Sequence, residues 1–428
     1  MLGWMANVRP FRALRYDAKL DLSDIVCPPF DTISPELQRE LHERSPYNAV
    51  HIELALDENG GRYQNAANAL RRFTAEGVLQ RDSEPAFYLL QQTFPHGGRS
   101  FTRTLLFATL RAVPWTNGFV LPHEQTFPKH KADRLELMRA AHLNGSPVFL
   151  FYRDAGRGIA TTLAEADQQQ TLLAEFDAAD GQHHRLVRIG DSETVESLTR
   201  AFSDRTLYIA DGHHRYETAL LYRDEVRAAR DTWTGEEPEN FALVGLVAED
   251  DPGMLVLPTH RLSASAAPWS EVRDRLTPLF ALAPFAGSPA GLMEAVSSRQ
   301  GIGLAVAGDG LHLATVKDAE AVDRLLPADR SPAWRALDYA IANHVVMRYG
   351  LGLSDEQMKD QSLVWFTEEA EEAVRQVEEG RARYAVLLSS VPVQKVLKLA
   401  DAGERMPQKS TFFYPKAPTG LVFNLLEG

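Results

Sequence analysis

Cysteine is nearly missing from this chain: Cys27 is the single one in 428 residues. That excludes an internal disulfide framework and a cysteine-ligated zinc ribbon, and it fits a reducing compartment. Excess positive charge is missing as well. With 58 acidic against 45 basic residues and a net charge of -13, the surface is not built to neutralise a nucleic-acid backbone or an anionic lipid layer, although a local basic pocket is compatible with it. No apolar run approaches the length of a membrane-spanning helix, and the opening MLGWMANVRPFRALRYD has no long apolar stretch of the signal-peptide kind. The expectation is a soluble cytoplasmic protein with no nucleic-acid and no membrane partner; nothing indicates its oligomeric state. Nucleotide signatures are missing too, since no GxxxxGK loop followed by Ser or Thr occurs. HEQT at 123–126 lacks the second histidine of a zinc-protease helix, and nothing points to zinc, haem or NAD.

What is present is enough apolar sequence for two or three packed domains, because 428 residues exceed what one core usually supports. Gly, Pro and Ser accumulate near Ala155 and Phe285. The expected blocks are therefore an N-terminal α/β region over 1–155, a central region over 156–285 and a C-terminal α/β region over 286–428. SPELQRELHERS and YQNAANALRRFTAEGVL carry helical spacing and helix-start residues. FYLLQQTF and RTLLFATLR around HGGRS read as a hairpin. Residues around Ala164 to Ala178 read as polar and helix-compatible. FALVGLVAEDDPGMLVLPTHRL and GLAVAGDGLHLATV each read as two strands joined by a turn. LVWF, TEEAEEAVRQVEEG, YAVLLSS and the stretch from Pro392 to Gly403 alternate strand and helix. Hairpins beside such units indicate mixed-sheet α/β or α+β architecture rather than a doubly wound dinucleotide fold.

The chemistry concentrates in LYIADGHHRYETAL, residues 207–220. LYIA has the character of a buried strand, and the residues after Arg215 have that of a helix, so Asp211-Gly212-His213-His214-Arg215 forms a sharp junction. Helix starts present unpaired N–H groups and a positive dipole end, Gly212 lets the backbone approach a ligand, and Arg215 adds a bidentate cation. His213 and His214 are donors that titrate near neutral pH, and Asp211 is a helix cap, a proton acceptor or a Mg²⁺ ligand. The plainer reading makes Asp211 only a cap and the histidines turn filler. Three like donors beside a helix start favour an anion.

Two further clusters qualify as partners of such a site. His123, Glu124, Lys129, His130, Lys131, Asp133 and Arg134 crowd ionisable groups before a helix, with Glu124 or Asp133 as base or metal ligand and the cations gripping phosphate. A solvated loop and helix face is the alternative. In MPQKSTFFYPK, residues Lys409, Ser410, Thr411, Tyr414 and Lys416 are all phosphate donors, while Phe412 and Phe413 suit a strand packed on the core. GQHHR at 181–185 imitates the central box without a following helix and reads as a turn.

The box, together with ERMPQKSTFFYPKAPTGLVF, PPFDTIS, VRPFRALRYD and HEQTFPKHKADRLELMRA, resembles the DUF1015 family of uncharacterised bacterial and archaeal proteins over nearly the whole chain. The DGHHR box is similar to the phosphate-binding box of the ParB/sulfiredoxin superfamily, which includes free serine kinases. That resemblance implies a ParB/sulfiredoxin-like core and phosphate held at the box. Sulfiredoxin chemistry needs a cysteine where this chain has His213, and ParB-type partition calls for a basic surface, so both are disfavoured. The resemblance leaves phosphotransfer, by kinase or phosphatase, on a small hydroxyl-bearing metabolite such as serine or phosphoserine, with Mg²⁺ and ATP or ADP as the implied cofactors. A nucleotide- or anion-binding sensor or scaffold without turnover is the competing expectation.

Overall fold

The computed structural model describes residues 7–57, 60–124 and 128–427, apart from the side chains of 128–130. Contacts divide the chain into two compact units, one formed by Met1–Pro122, Thr126–Leu255 and Pro415–Gly428, the other by His123–Gln125 and Val256–Tyr414. The first unit thus gathers segments from the beginning, middle and end of the sequence.

The first unit is built on a mixed sheet. Its strands lie in the order Val120–Leu121, Leu207–Asp211, Val148–Tyr152, Phe241–Ala248, Arg99–Arg111, Phe87–His96, His183–Ile189 and Thr171–Asp177, with Val8–Arg9 added beside Arg99–Arg111. Phe241–Ala248 runs parallel to Val148–Tyr152, and Leu207–Asp211 runs antiparallel to it. The expected hairpin of Phe87–His96 and Arg99–Arg111 forms around Gly97 and Gly98, both at positive φ. Leu89, Leu106, Leu150, Val187, Ile209 and Leu246 point to one face and share a core with Leu163, Leu198 and Phe202 of the covering helices Gly158–Gln169 and Ser192–Ser203. Burying each such side chain contributes roughly 1.5–3 kcal/mol. Ser34 caps the Pro35–Arg44 helix by accepting from the Leu37 N–H at 3.2 Å, as the Ser-Pro start indicated.

Two expectations for this unit fail. The helix-compatible stretch from Ala164 to Ala178 is helical only to Gln169; Thr171–Asp177 is an edge strand paired with His183–Ile189. The polar run up to Gln170 closes the helix, and the more apolar TLLAEFD after it is the strand. Phe241–Ala248 does not form a hairpin across the Asp-Asp-Pro-Gly turn, because Arg99–Arg111 and Val148–Tyr152 already occupy both its edges.

The second unit holds an antiparallel sheet in the order Phe280–Pro284, Gly310–Val316, Ile302–Val306, Tyr384–Leu387, His260–Ser263 and Val364–Thr367. The expected hairpin at Gly308 and Gly310 forms, with both glycines at positive φ. Helices Pro289–Arg299 and Ala370–Glu378 cover the sheet through Leu292, Val296, Val374 and Val377. Gly380 ends the second of these segments at φ 74°. The expected strand, helix, strand, helix succession is complete with Val393–Asp401. No helix among the described residues is long and apolar enough to cross a membrane.

Candidate functional site

The box is the strand, turn and helix that its sequence indicated. Leu207–Asp211 is an inner strand with its first four residues buried, and a helix of 16 residues, His213–Ala228, follows at once. Gly212 is the hinge, at φ 86° and ψ 28°. It is also the helix N-cap and supplies no side-chain cap bond, so Asp211 is the last strand residue rather than the cap. The backbone must be left-handed here, which glycine adopts without the penalty a Cβ carries. Arg215 folds back over this turn: a Cβ on Gly212 would sit 2.9 Å from its Nε.

Asp211 collects two cations on its two oxygens. Arg215 Nη2 lies 2.5 Å from Oδ2, and Lys416 Nζ lies 2.8 Å from Oδ1. Arg215 Nη1 also donates to the Pro147 carbonyl. Two positive charges therefore meet one carboxylate just ahead of a helix start, in a chain whose total charge is -13. His213 is buried at the first helical position, and His214 is half-buried.

Lys131, on the Pro128–Ala141 helix, pairs with Glu217 at 2.7 Å, two residues beyond Arg215. Arg134 is 6% exposed. It donates to the Glu53 carbonyl at 3.0 Å, lies 3.5 Å from Glu53 Oε1, and sits over the Phe30 ring. Burial lowers its pKa, Glu53 opposes that, and the neighbouring Arg215 charge reinforces it. Asp133 pairs with Arg62 and with Arg134 and accepts from the Tyr63 hydroxyl at 3.0 Å. These two are thus engaged in a local ion network. The Lys129 side chain lies outside the described residues. A pocket beside Arg215 has apolar walls from Leu137, Met138, Ala219 and Leu243 and a polar edge from Asn144 and Ser146.

The other site candidates fall in the second unit. Glu124 Oε1 accepts from the Lys409 N–H at 3.0 Å, and a His123 ring nitrogen meets the Thr411 hydroxyl at 2.9 Å. Lys409 is exposed at positive φ, Ser410 is fully buried and donates to the Pro407 carbonyl at 2.5 Å, and Tyr414 closes the Phe412–Tyr414 strand half-buried. Residues that the sequence reading passed over include Glu53 and Ser146, joined at 2.6 Å, and Arg103 and Gln92 under the C-terminal segment. The only signal for Arg103 was a charge inside an apolar strand.

A mixed α/β fold with antiparallel hairpins and a cation-rich strand-to-helix turn defines the class. The chain belongs to the DUF1015 family, whose model, described as a protein of unknown function, matches residues 8–340. It stops short of the 404–423 block. Among solved structures, the chain is similar to a conserved hypothetical protein from Pyrococcus furiosus, at 14% identity and TM-score 0.38, over 72% of this chain and 92% of that one. It is also similar to a free serine kinase in complex with AMP, at 12% identity and TM-score 0.35, over 71% and 89%. SbnI with a C-terminal truncation, from Staphylococcus aureus, aligns at 9% identity and TM-score 0.36, over 74% and 87%. Comparison with curated proteins finds no match.

Proposed function

We propose that this protein transfers a phosphoryl group to or from a small hydroxyl-bearing metabolite, with serine and phosphoserine as the first substrates to try. The observation that carries the reading is the convergence of Arg215 and Lys416 on Asp211 at the start of the His213–Ala228 helix. Both cations pair with the one Asp211 carboxylate. A phosphate would accept from the helix-start N–H groups and compete with Asp211 for Arg215 and Lys416.

That competition suggests a chemical role for Asp211. Once the phosphoryl oxygens hold the cations, the carboxylate is released to accept the proton of the attacking hydroxyl. In the kinase direction the hydroxyl oxygen forms a bond to the terminal phosphorus, the bond to the leaving phosphate oxygen breaks, and the proton passes to Asp211. The phosphatase direction uses water as the nucleophile in the same cradle. In this reading His213 and His214, at the first two helical positions, would be further donors to the phosphoryl oxygens, and the pocket beside Arg215 would give apolar walls to the organic part of the ligand.

Magnesium, the implied companion of ATP or ADP, was tested against the donor set. Both Asp211 oxygens are engaged by cations, and among the described residues no group of three or more His, Cys, Asp or Glu is arranged for a metal. The described residues offer no all-protein Mg²⁺ cage, Asp211 is the carboxylate that could meet a nucleotide-borne Mg²⁺ once the phosphate takes its cations, and no step is routed through the ion.

The test is ³¹P NMR of the full chain with serine and ATP or ADP, and separately with phosphoserine, each with and without Mg²⁺. New phosphoserine or free phosphate supports the proposal, and Arg215→Ala should abolish it. Tight nucleotide binding with no turnover would replace the enzyme by a nucleotide- or anion-binding sensor.

A further inference from the structure

The segment that carries Lys416 is held by two side chains to which the phosphotransfer reading gives no task. The pairing of Arg99–Arg111 with Phe87–His96 sets Arg103 opposite Gln92, and His183–Ile189 sets His184 on the other side of Gln92. Arg103, Gln92 and His184 thus form a polar row across three strands, with Arg103 and Gln92 both wholly buried. Polar groups there are costly unless their hydrogen-bonding atoms find partners.

Two of those partners are successive carbonyls, and a third is the Gln182 side chain, whose Oε1 accepts from Gln92 Nε2 at 2.5 Å. Arg103 Nη1 donates to the Pro415 oxygen at 2.5 Å, Gln92 Nε2 donates to the Lys416 oxygen at 3.2 Å, and Arg103 Nη2 ties the pair together by donating to Gln92 Oε1 at 2.5 Å. The guanidinium lies 4.8 Å from the Phe149 ring centroid. Burial draws its pKa down to about 9, which Asp251 offsets only in part. Apolar side chains would pack a chain end at less cost. Donors on two adjacent carbonyls do something packing does not: they fix the rotation of the backbone from which Lys416 extends to Asp211.

We infer that Arg103 and Gln92 are positioning residues, clamping the backbone at Pro415 and Lys416 so that the Lys416 ammonium is delivered to the Asp211 and Arg215 turn where a phosphoryl group binds. The inference rests on the phosphate reading of that turn.

Gln92→Glu cuts the clamp at the Lys416 carbonyl. It keeps the acceptor for Arg103 and gives that buried guanidinium a counter-charge, but it removes the donor to the Lys416 carbonyl and to Gln182 Oε1, so Gln182→Ala is the control that removes the second contact alone. Calorimetric titration of the full chain with inorganic phosphate, alongside thermal melts, reads both consequences. The expected result is an unchanged or higher melting temperature with phosphate binding weakened roughly ten-fold, as in Lys416→Ala. The double variant Gln92→Glu, Lys416→Ala should bind no more weakly than Lys416→Ala alone, because both changes remove one interaction. Unchanged affinity in Gln92→Glu, or losses that multiply in the double variant, would overturn the inference. Should Gln92→Glu fail to fold, Gln92→Leu in the same cycle supplies the same readout. If Arg215→Ala binds phosphate as well as the wild type, the site reading fails; if Arg215→Ala loses binding while Gln92→Glu does not, only the clamp fails.

Discussion

Arg215 reaches back one helical turn to Asp211, with Nη2 2.5 Å from Oδ2, while the same carboxylate's other oxygen holds Lys416 at 2.8 Å. The carboxylate therefore occupies the cations that a phosphate would use. Asp211→Asn should remove this internal competitor, tightening inorganic phosphate binding by roughly ten-fold through loss of one like charge beside the ligand. Turnover should fall in the same variant, since the proton acceptor is gone. Titration calorimetry and ³¹P NMR on one preparation give both numbers; weaker phosphate binding in Asp211→Asn would contradict the competition.

Gly212 makes a separable demand. Its φ of 86° lies in the left-handed region, and an added Cβ would stand 2.9 Å from Arg215 Nε. Gly212→Ala is expected to lose about 1–2 kcal/mol of stability from the backbone alone. It should also displace the Arg215 side chain and weaken phosphate binding. Urea unfolding with a phosphate titration checks both, and a variant as stable as the wild type would show that the turn tolerates a side chain.

The box was legible in the sequence because everything that shapes it is local: an apolar run, one glycine and an amphipathic helix lie within LYIADGHHRYETAL. The hairpins at Gly97 and Gly308 were legible for the same reason. Phe241–Ala248 was misread because its partners, Arg99–Arg111 and Val148–Tyr152, are distant in sequence, and two distant strands took the edges that a local hairpin needs. Thr171–Asp177 looked helical because it follows a true helix with only Gln170 between them, and a short edge strand with exposed Leu172 carries no clean alternation to mark the change. Neither the opposition of Arg103 and Gln92 nor the link from Arg134 to Glu53 has a sequence signature, since both depend on tertiary placement. Charge density drew attention to Arg134 equally with Lys131, and only burial separates them.

That separation is testable. Arg134 and Glu53 are 6% and 3% exposed, and removing one partner leaves the other charge buried. Arg134→Ala should destabilise the protein by about 3–5 kcal/mol. The Lys131 pair with Glu217 is more exposed, and Lys131→Ala should cost at most about 1 kcal/mol. Chemical denaturation of the two variants side by side is the measurement, and equal midpoints would show that the network around Glu53 is not structural.

Two buried histidines contribute to the response to acid, beside the half-buried His344, which burial also pushes down to about 4. Burial pushes His184 down to about 4, and His260 likewise, so both are neutral in the folded protein across the physiological range. In the unfolded chain a histidine takes up its proton near pH 6.5. Above that pH neither state binds it, and the contribution to stability is fully present. Between about pH 6.5 and 4 the unfolded state holds a proton that the native state refuses, so stability falls as the pH drops. Burial raises the carboxyl pKa of Asp251, which works against this trend by favouring the folded state in acid. For His184 alone the loss between pH 7 and pH 5 should be about 2 kcal/mol. The ring packs beside Phe176, with centroids 5.1 Å apart, and its Nδ1 has no hydrogen-bond partner, so His184→Phe suits the site chemically. Urea unfolding at pH 7 and pH 5 should show that variant losing less stability than the wild type by about that amount. Parallel losses in the two proteins would mean that His184 takes up its proton in the folded protein much as it does in the unfolded chain, so that burial does not hold its pKa down.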